Sequence, residues 1–273
     1  MVDPSAPPRV LAIGGHDPSG GAGVDADREA IFANGCAAEV VVTAHTDQDD
    51  SMVRSIGARS PADWSTEAAR ILETAAPTAA RVAARVGTPI AAIKFGLLPG
   101  LDHIHAAAEI VRQFRAHTPF LPVVVDPVIE SSSGCRFLDP AACDALLREL
   151  LPLAPILTPN LPEAARLTGH DPELLAHDAP TRLEAARGLL AHGAAAVLLK
   201  GGHGPENEPV TDLLLTPAAA PVPIEQERVS GPGIRGSGCR HASALASSLA
   251  HGTPLPQAAH HAAHHVAACI RAR

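Results

Sequence analysis

Short, wholly apolar runs alternate along the chain with longer stretches whose apolar residues recur at helical spacing. Runs with no polar face read as strands covered on both sides. Their alternation with helices predicts a mostly parallel sheet between two helical layers. The first strand spans 9–13 and runs into Gly14-Gly15; a helix over 24–33 follows and stops at Asn34-Gly35. A strand at 40–43, an Ala-rich helix over 61–85 and a strand at 91–96 come next. The helix over 102–116 carries Ile104, Ala107, Ala108 and Val111 on one face. A strand at 122–127 holds Asp126 near its end, and Asp139-Pro140 supplies the N-cap and first residue of a helix reaching 151. The series continues with a strand at 156–158, Asn160 and a helix holding Glu163, a helix over 181–192, and a strand from 196 that runs into Lys200-Gly201-Gly202. Late, antiparallel strands are expected at 212–215 and 222–229, then helices over 239–250 and 255–270. With no internal repeat and no long linker, residues 9–273 are expected to form one α/β domain after a disordered lead-in at 1–8.

Composition narrows the function classes. The chain has 273 residues, a net charge of −8 and only 2% aromatic residues, with no Tyr and one Trp, Trp64. The core must therefore be aliphatic, and a base-stacking nucleic-acid platform is excluded. The acidic balance also disfavours a phosphate-backbone partner. No apolar run approaches the roughly 18 residues of a membrane span, and the N-terminus lacks the pattern of a secretory signal. Cys36, Cys135, Cys143, Cys239 and Cys269 are odd in number and scattered, which suits neither a disulfide framework nor a zinc ribbon. A reducing, cytoplasmic setting is expected.

Ligands of parallel sheets bind beyond the C-terminal strand ends. Gly14-Gly15, Asp126, Asn160 and Lys200-Gly201-Gly202 all fall there. The segment 14–23, GGHDPSGGAG, joins the first strand to the first helix and lets backbone approach a ligand. It is neither a Walker A loop nor a dinucleotide fingerprint, and its plainer reading is a flexible loop. Gly236, Ser237 and Gly238 precede a helix, an arrangement that presents backbone N–H groups and dipole to an anion. Cys239 falls in the first turn, where its thiol pKa is expected to drop; the plainer reading is a glycine turn with a small buried Cys. Asp126, Asn160 and Glu163 are oxygen donors of the kind Mg²⁺ prefers, although Asn160 and Glu163 alone also read as a capping box. Lys200 could meet a phosphate or be a solvated charge. His260, His261, His264 and His265 form i,i+4 pairs, which read as an exposed His face rather than a zinc site.

Taken together, 15–27 (GHDPSGGAGVDAD), Val42-Thr43-Ala44 with Gln48, Lys94-Phe95-Gly96-Leu97-Leu98, Val125-Asp126-Pro127-Val128, TPNLPEA at 158–164, Lys200-Gly201-Gly202-His203 and Gly236-Ser237-Gly238-Cys239 resemble, in order, the hydroxymethylpyrimidine/phosphomethylpyrimidine kinases of thiamine biosynthesis. These belong to the ribokinase-like superfamily, and the resemblance covers about 10–270. It implies a three-layer α/β/α fold with a central, mostly parallel sheet, and an ATP- and Mg²⁺-dependent kinase acting on a small pyrimidine, likewise as a homodimer. By position, Gly236, Ser237 and Gly238 form the anion hole and Cys239 the base. Asn160 and Glu163, with Asp126, hold Mg²⁺ through water, and Lys200 approaches the nucleotide phosphates. Gly15, Asp27, Gln48 and Val128 line the pyrimidine pocket. The γ-phosphoryl group would pass to the hydroxymethyl group of 4-amino-5-hydroxymethyl-2-methylpyrimidine and, in a second step, to its monophosphate.

This chain departs from the family pattern at His16, Asp49, Ser132-Ser133-Gly134, Ile234-Arg235 and Arg240. A lysine usual near 132 is missing, and Arg235 and Arg240 are expected to compensate as phosphate ligands. A pyridoxal kinase-like vitamin B6 kinase and a non-catalytic pyrimidine- or nucleotide-binding relative are the alternatives.

Overall fold

The structure, a computed structural model, describes residues 6–48, 52–75, 89–131, 134–205, 208–231 and 233–273. Its first half contains β1 (Arg9–His16), α1 (Gly23–Ala33), β2 (Ala37–Gln48), β3 (Val53–Ala58), α2 (Pro61–Ala75), β4 (Ile90–Phe95), α3 (Leu101–His117) and β5 (Val123–Val125). Then come α4 (Pro140–Ala145), β6 (Ile156–Leu157), α5 (Leu161–Thr168), α6 (Pro172–His177), α7 (Ala179–Ala191) and β7 (Ala196–Leu199). The chain closes with β8 (Val210–Leu215), β9 (Val222–Gln226), α8 (Ser237–Ala250) and α9 (Leu255–Arg271).

The strands form one sheet in the order β3-β2-β1-β4-β5-β6-β7-β8-β9. From β2 to β7 every neighbour is parallel, while β3, β8 and β9 attach antiparallel. The two-residue period of a strand explains the three layers. Leu11, Ile13, Ile93, Phe95, Val123, Val125, Val197 and Leu199 point into one core, which α2, α3, α4, α5 and α7 cover. Their neighbours Val10, Ala12, Ala92, Val124, Ala196 and Leu198 point into the other, under α1, α8 and α9. That second core is rich in alanine, with Ala242, Ala246, Ala258, Ala259, Ala262 and Ala263 buried. No helix among the described residues is long and apolar enough to cross a membrane.

Several boundaries differ from the sequence expectation. β2 runs beyond the apolar 40–43 core because its far half pairs with β3, a strand whose sequence VRSIGA has no apolar run to announce it. The strand expected through Gly202 ends at Leu199. The helix expected over 139–151 leaves α geometry after Ala145 for a π turn and then a 3-10 turn, Leu151–Leu153, where Pro152 supplies no N–H. α6 was hidden in sequence by its shortness, though Asp171 caps it. Residues 76–85 of the expected helix and 1–5 of the expected lead-in lie outside the described residues, as do Asp49, Ser132 and Ser133.

The turn leaving β7 is held by backbone contact. A Cβ on Gly201 would lie 2.1 Å from the Thr211 carbonyl oxygen, whereas one on Gly202 would meet nothing within 4 Å. Gly201→Ala is therefore expected to cost about 1–3 kcal/mol and Gly202→Ala close to nothing. Thermal melts of the two variants check this difference.

Candidate functional site

A cleft of about 640 Å³ opens at the C-terminal ends of the parallel strands. Gly15, Gln48, Asp27, Val128, Asp126, Asn160, Glu163, Lys200, Arg235, Gly236, Ser237, Gly238 and Cys239 all line it. The topology accounts for this meeting. The parallel strands all end at the same edge of the sheet, so Gly15 and Lys94, near the ends of β1 and β4, and Asp126, Asn160 and Lys200, just beyond β5, β6 and β7, all reach one cleft.

α8 points its N-terminus into this cleft. Gly236 is its N-cap, with φ of +67°, and no side chain caps the first turn. A Cβ on Gly236 would fall 2.6 Å from the Gly21 carbonyl oxygen, so only glycine lets the two loops touch. The outward amides and the helix dipole make this turn an anion cradle. Lys200 and Asp126 stand against it: a Cβ on Gly238 would lie 3.2 Å from Lys200 Nζ and 3.5 Å from Asp126 Oδ2.

Beneath the cradle lies a buried ion pair. Lys94 Nζ donates to both oxygens of Asp27, at 2.8 and 2.9 Å, and the Ser243 hydroxyl donates to Asp27 Oδ1 at 2.8 Å. Burial works to drive Lys94 below its ordinary range, but the Asp27 charge outweighs it and holds the ammonium protonated. Beside them Lys200 donates to Asp126 at 2.6 Å. Burial tends to raise the Asp126 carboxyl, yet Lys200 and Lys94 keep it below the usual range. For Glu163 burial prevails and pushes it up to about 8, with Lys200 opposing the rise and Asp126 adding to it.

Cys239 departs from expectation. Burial pushes its thiol up to about 11, against the pull of Lys94 and a hydrogen bond with the Gly23 backbone. A helix first turn does lower a thiol pKa when water reaches it, but here the surrounding charges are paired and burial prevails. Asn160 and Glu163 do form the reciprocal capping box, with both bonds at 2.8 Å. Both still line the cleft, so the cap and the pocket wall are one structure.

The two arginines diverge. Arg235 lines the cleft and donates to Asp17 Oδ2 at 2.8 Å and to the Ser19 hydroxyl at 3.0 Å. Arg240 instead reaches Glu29 and the Gly21 carbonyl, away from the cleft lining. Its expected role as a phosphate ligand is not supported, because its charge is spent on the outer face of α1.

No group of three or more His, Cys, Asp or Glu converges on a metal position among the described residues. The donor set of Asp126, Glu163 and Asn160 fits a hard cation held largely by water and substrate oxygens, as Mg²⁺ usually is, and not a protein cage. His260, His261 and His264 are exposed, while His265 faces Asn34 Nδ2 at 3.4 Å and Cys269 Sγ at 3.6 Å. All five cysteines are free.

Sequence reasoning gave no role to Lys94, Asp17 or Ser243. A lysine inside the apolar strand IAAIKF was the available signal, since a buried cation requires a partner. Asp212 and His241 were also unforeseen. Asp212 accepts from the Gly201 N–H at 2.8 Å and faces His241 Nε2 at 3.1 Å, tying the turn after Lys200 to α8.

Removing one member of the buried pair leaves the other charge stranded. Lys94→Met and Asp27→Leu are each expected to cost about 3–5 kcal/mol, and the double variant less than their sum, by denaturant titration of all four proteins. Glu163 supplies a pH signature. Its folded pKa lies above the unfolded one, so its contribution is fully present below about 4.5 and lost as pH rises toward about 8. Glu163→Gln should flatten that decline between pH 5 and 8 in melts run across the range.

The sequence profile of the phosphomethylpyrimidine kinase family matches residues 17–273. The chain is 35% identical over 263 residues to a hydroxymethylpyrimidine/phosphomethylpyrimidine kinase of Rhizobium meliloti, covering 96% of this chain and 90% of that one. It is 34% identical to the thiamine biosynthesis bifunctional protein ThiED of Geobacter sulfurreducens, where it spans only about half (49%) of the relative's length. Among solved structures it is similar to the ADP complex of Bacillus subtilis pyridoxal kinase, with a TM-score of 0.80 at 28% identity, covering 95% of this chain and 90% of that one. With ordered strand-end motifs, an α/β/α sheet and a profile match over nearly its whole length, the chain belongs to the phosphomethylpyrimidine kinase family.

Proposed function

We propose that the chain transfers the γ-phosphoryl group of ATP to the hydroxymethyl group of 4-amino-5-hydroxymethyl-2-methylpyrimidine, and then to the resulting monophosphate. The observation that carries this reading is the uncapped N-terminus of α8, open to the cleft with Lys200 and Asp126 against its first turn. A transferring phosphoryl group needs backbone N–H donors and positive charge more than covalent help, because its transition state is loose and charge is spread over its oxygens.

In this reading the pyrimidine lies on the β1–β2 side, between Gly15, Gln48, Asp27 and Val128. The nucleotide lies on the β6–β7 side with its phosphates toward Lys200. Amides of Gly236, Ser237, Gly238 and Cys239 receive the migrating group between them. Asn160, Glu163 and Asp126 would hold Mg²⁺ through water, and the ion supplies neutralisation of phosphate charge. In each transfer the acceptor oxygen forms a bond to phosphorus as the bond to the ADP oxygen breaks; with the alcohol the hydroxyl proton passes to the Cys239 thiolate, whereas the monophosphate dianion attacks through an oxygen that carries none. A thiol near 11 is mostly protonated at neutral pH, so the proton-accepting thiolate is a minority form there. That makes positioning the larger contribution and proton removal the pH-dependent one. A reducing, cytoplasmic setting suits five free thiols.

The likeness to an ADP-bound pyridoxal kinase favours pyridoxal as the second acceptor to consider. A coupled ADP-release assay with the pyrimidine alcohol, its monophosphate and pyridoxal tests both. Both pyrimidines should give a higher kcat/KM than pyridoxal, and preferred turnover of pyridoxal would reverse the assignment. Cys239→Ala should lower kcat by about 10²–10⁴-fold and abolish its rise toward alkaline pH. Wild-type kcat in that variant would remove Cys239 from the mechanism.

A further inference from the structure

Asp17 is 1% exposed and lies in the loop joining β1 to α1. Its carboxylate accepts from the Ser19 N–H at 3.0 Å, the Ser19 hydroxyl at 2.9 Å and the Ala22 N–H at 3.1 Å, so it organises the whole turn. Into this turn comes Arg235, from the segment just before the anion cradle and 218 residues away in sequence. Its guanidinium lies over Gly21: a Cβ there would be 3.7 Å from Arg235 Cζ. The side chain is 18% exposed, and both Asp17 and Arg235 line the cleft.

The position of this pair has a chemical consequence. Lys200 flanks the cradle at Gly238, toward β6 and β7, where the nucleotide reading places ATP. Arg235 flanks it at Gly236, toward β1 and β2, where the acceptor is placed. An acceptor that is already phosphorylated brings a dianion to that second side. It then needs a cation there, which the uncharged alcohol does not. Arg235 can share its planar guanidinium between Asp17 and such a phosphate, and Asp17 keeps its bonds from Ser19 and Ala22 meanwhile, so the carboxylate stays hydrogen-bonded.

We propose that Asp17 is a positioning residue that holds Arg235 at the acceptor side of the cradle, and that Arg235 is the contact selecting the phosphorylated acceptor over the alcohol. This rests on the pyrimidine-kinase reading above. Arg240, tied to Glu29, takes no part.

The test compares wild type with Arg235→Gln, Arg235→Lys, Asp17→Asn and the Asp17→Asn/Arg235→Gln pair. Steady-state rates are read for the pyrimidine alcohol and its monophosphate, and equilibrium binding of the same two compounds is read by calorimetry without nucleotide. Arg235→Gln should raise KM for the monophosphate at least tenfold more than KM for the alcohol, with Arg235→Lys recovering part of the difference. Asp17→Asn should shift selectivity in the same direction. Because Asp17 acts through Arg235, the double variant should be no less selective than Arg235→Gln alone. Equal losses on both acceptors, or intact selectivity in a folded Asp17→Asn protein, would overturn the proposal. Should Asp17→Asn fail to fold, the two Arg235 variants decide. A wild type that turns over neither pyrimidine overturns the kinase reading instead; calorimetry then judges the contact by whether the monophosphate loses its binding advantage in Arg235→Gln.

Discussion

Lys94 and Asp27 set the terms for everything above them. The lysine is 1% exposed and the aspartate 0%, at the point where β4, α1 and α8 converge. Neither charge could stay there alone, since an unpaired buried ion costs far more than a pair whose hydrogen bonds are satisfied. The Ser243 hydroxyl fills a further acceptor site on Asp27, so α8 is tied to the pair as well as α1 and β4. The helix that carries the anion cradle is therefore fixed one turn below the cradle, by chemistry and not only by packing.

Pairing of charge is the rule across the cleft. Lys200 is committed to Asp126, Arg235 to Asp17 and Arg166 to Glu130. Paired cations spread little net potential, so burial decides the state of groups left between them. That is why Cys239 rises despite its place in a helix first turn, and why Glu163 rises beside a carboxylate. It also means that an entering polyphosphate must compete with carboxylates or bring a cation with it. A divalent ion carried by the nucleotide satisfies that requirement, and the water-dominated donor set of Asp126, Glu163 and Asn160 suits it.

Most of the fold was legible because the strands are buried on both faces, which leaves runs such as VVV and AVLL with no competing period. β3 was not, because half-exposed residues and a glycine carry no such run and its pairing comes from β2. The π and 3-10 ending of the α4 segment likewise depends on how Pro152 meets the turn before β6. At the site, glycines and strand-end polar residues gave away the location, since only certain residues belong there. The partnerships stayed hidden. Nothing in the sequence near Arg235 names Asp17, and nothing near Lys94 names Asp27; such links cross the fold and obey geometry that no local pattern encodes.

The loops divide the work along the sheet. Gly236 touches the β1–α1 turn through Gly21 and Ala22, and Gly238 touches the β5 and β7 ends through Asp126 and Lys200. The first turn of α8 thus joins two half-sites built from opposite sides of the same parallel sheet. In the proposed transfer, a phosphoryl group passing from one half to the other would meet the same amides throughout. Glycine is needed at 236, where the contact is backbone to backbone at a distance a side chain would prevent. Arginines stand at the edges of that turn, at 235 and 240, and of the two only Arg235 faces the cleft.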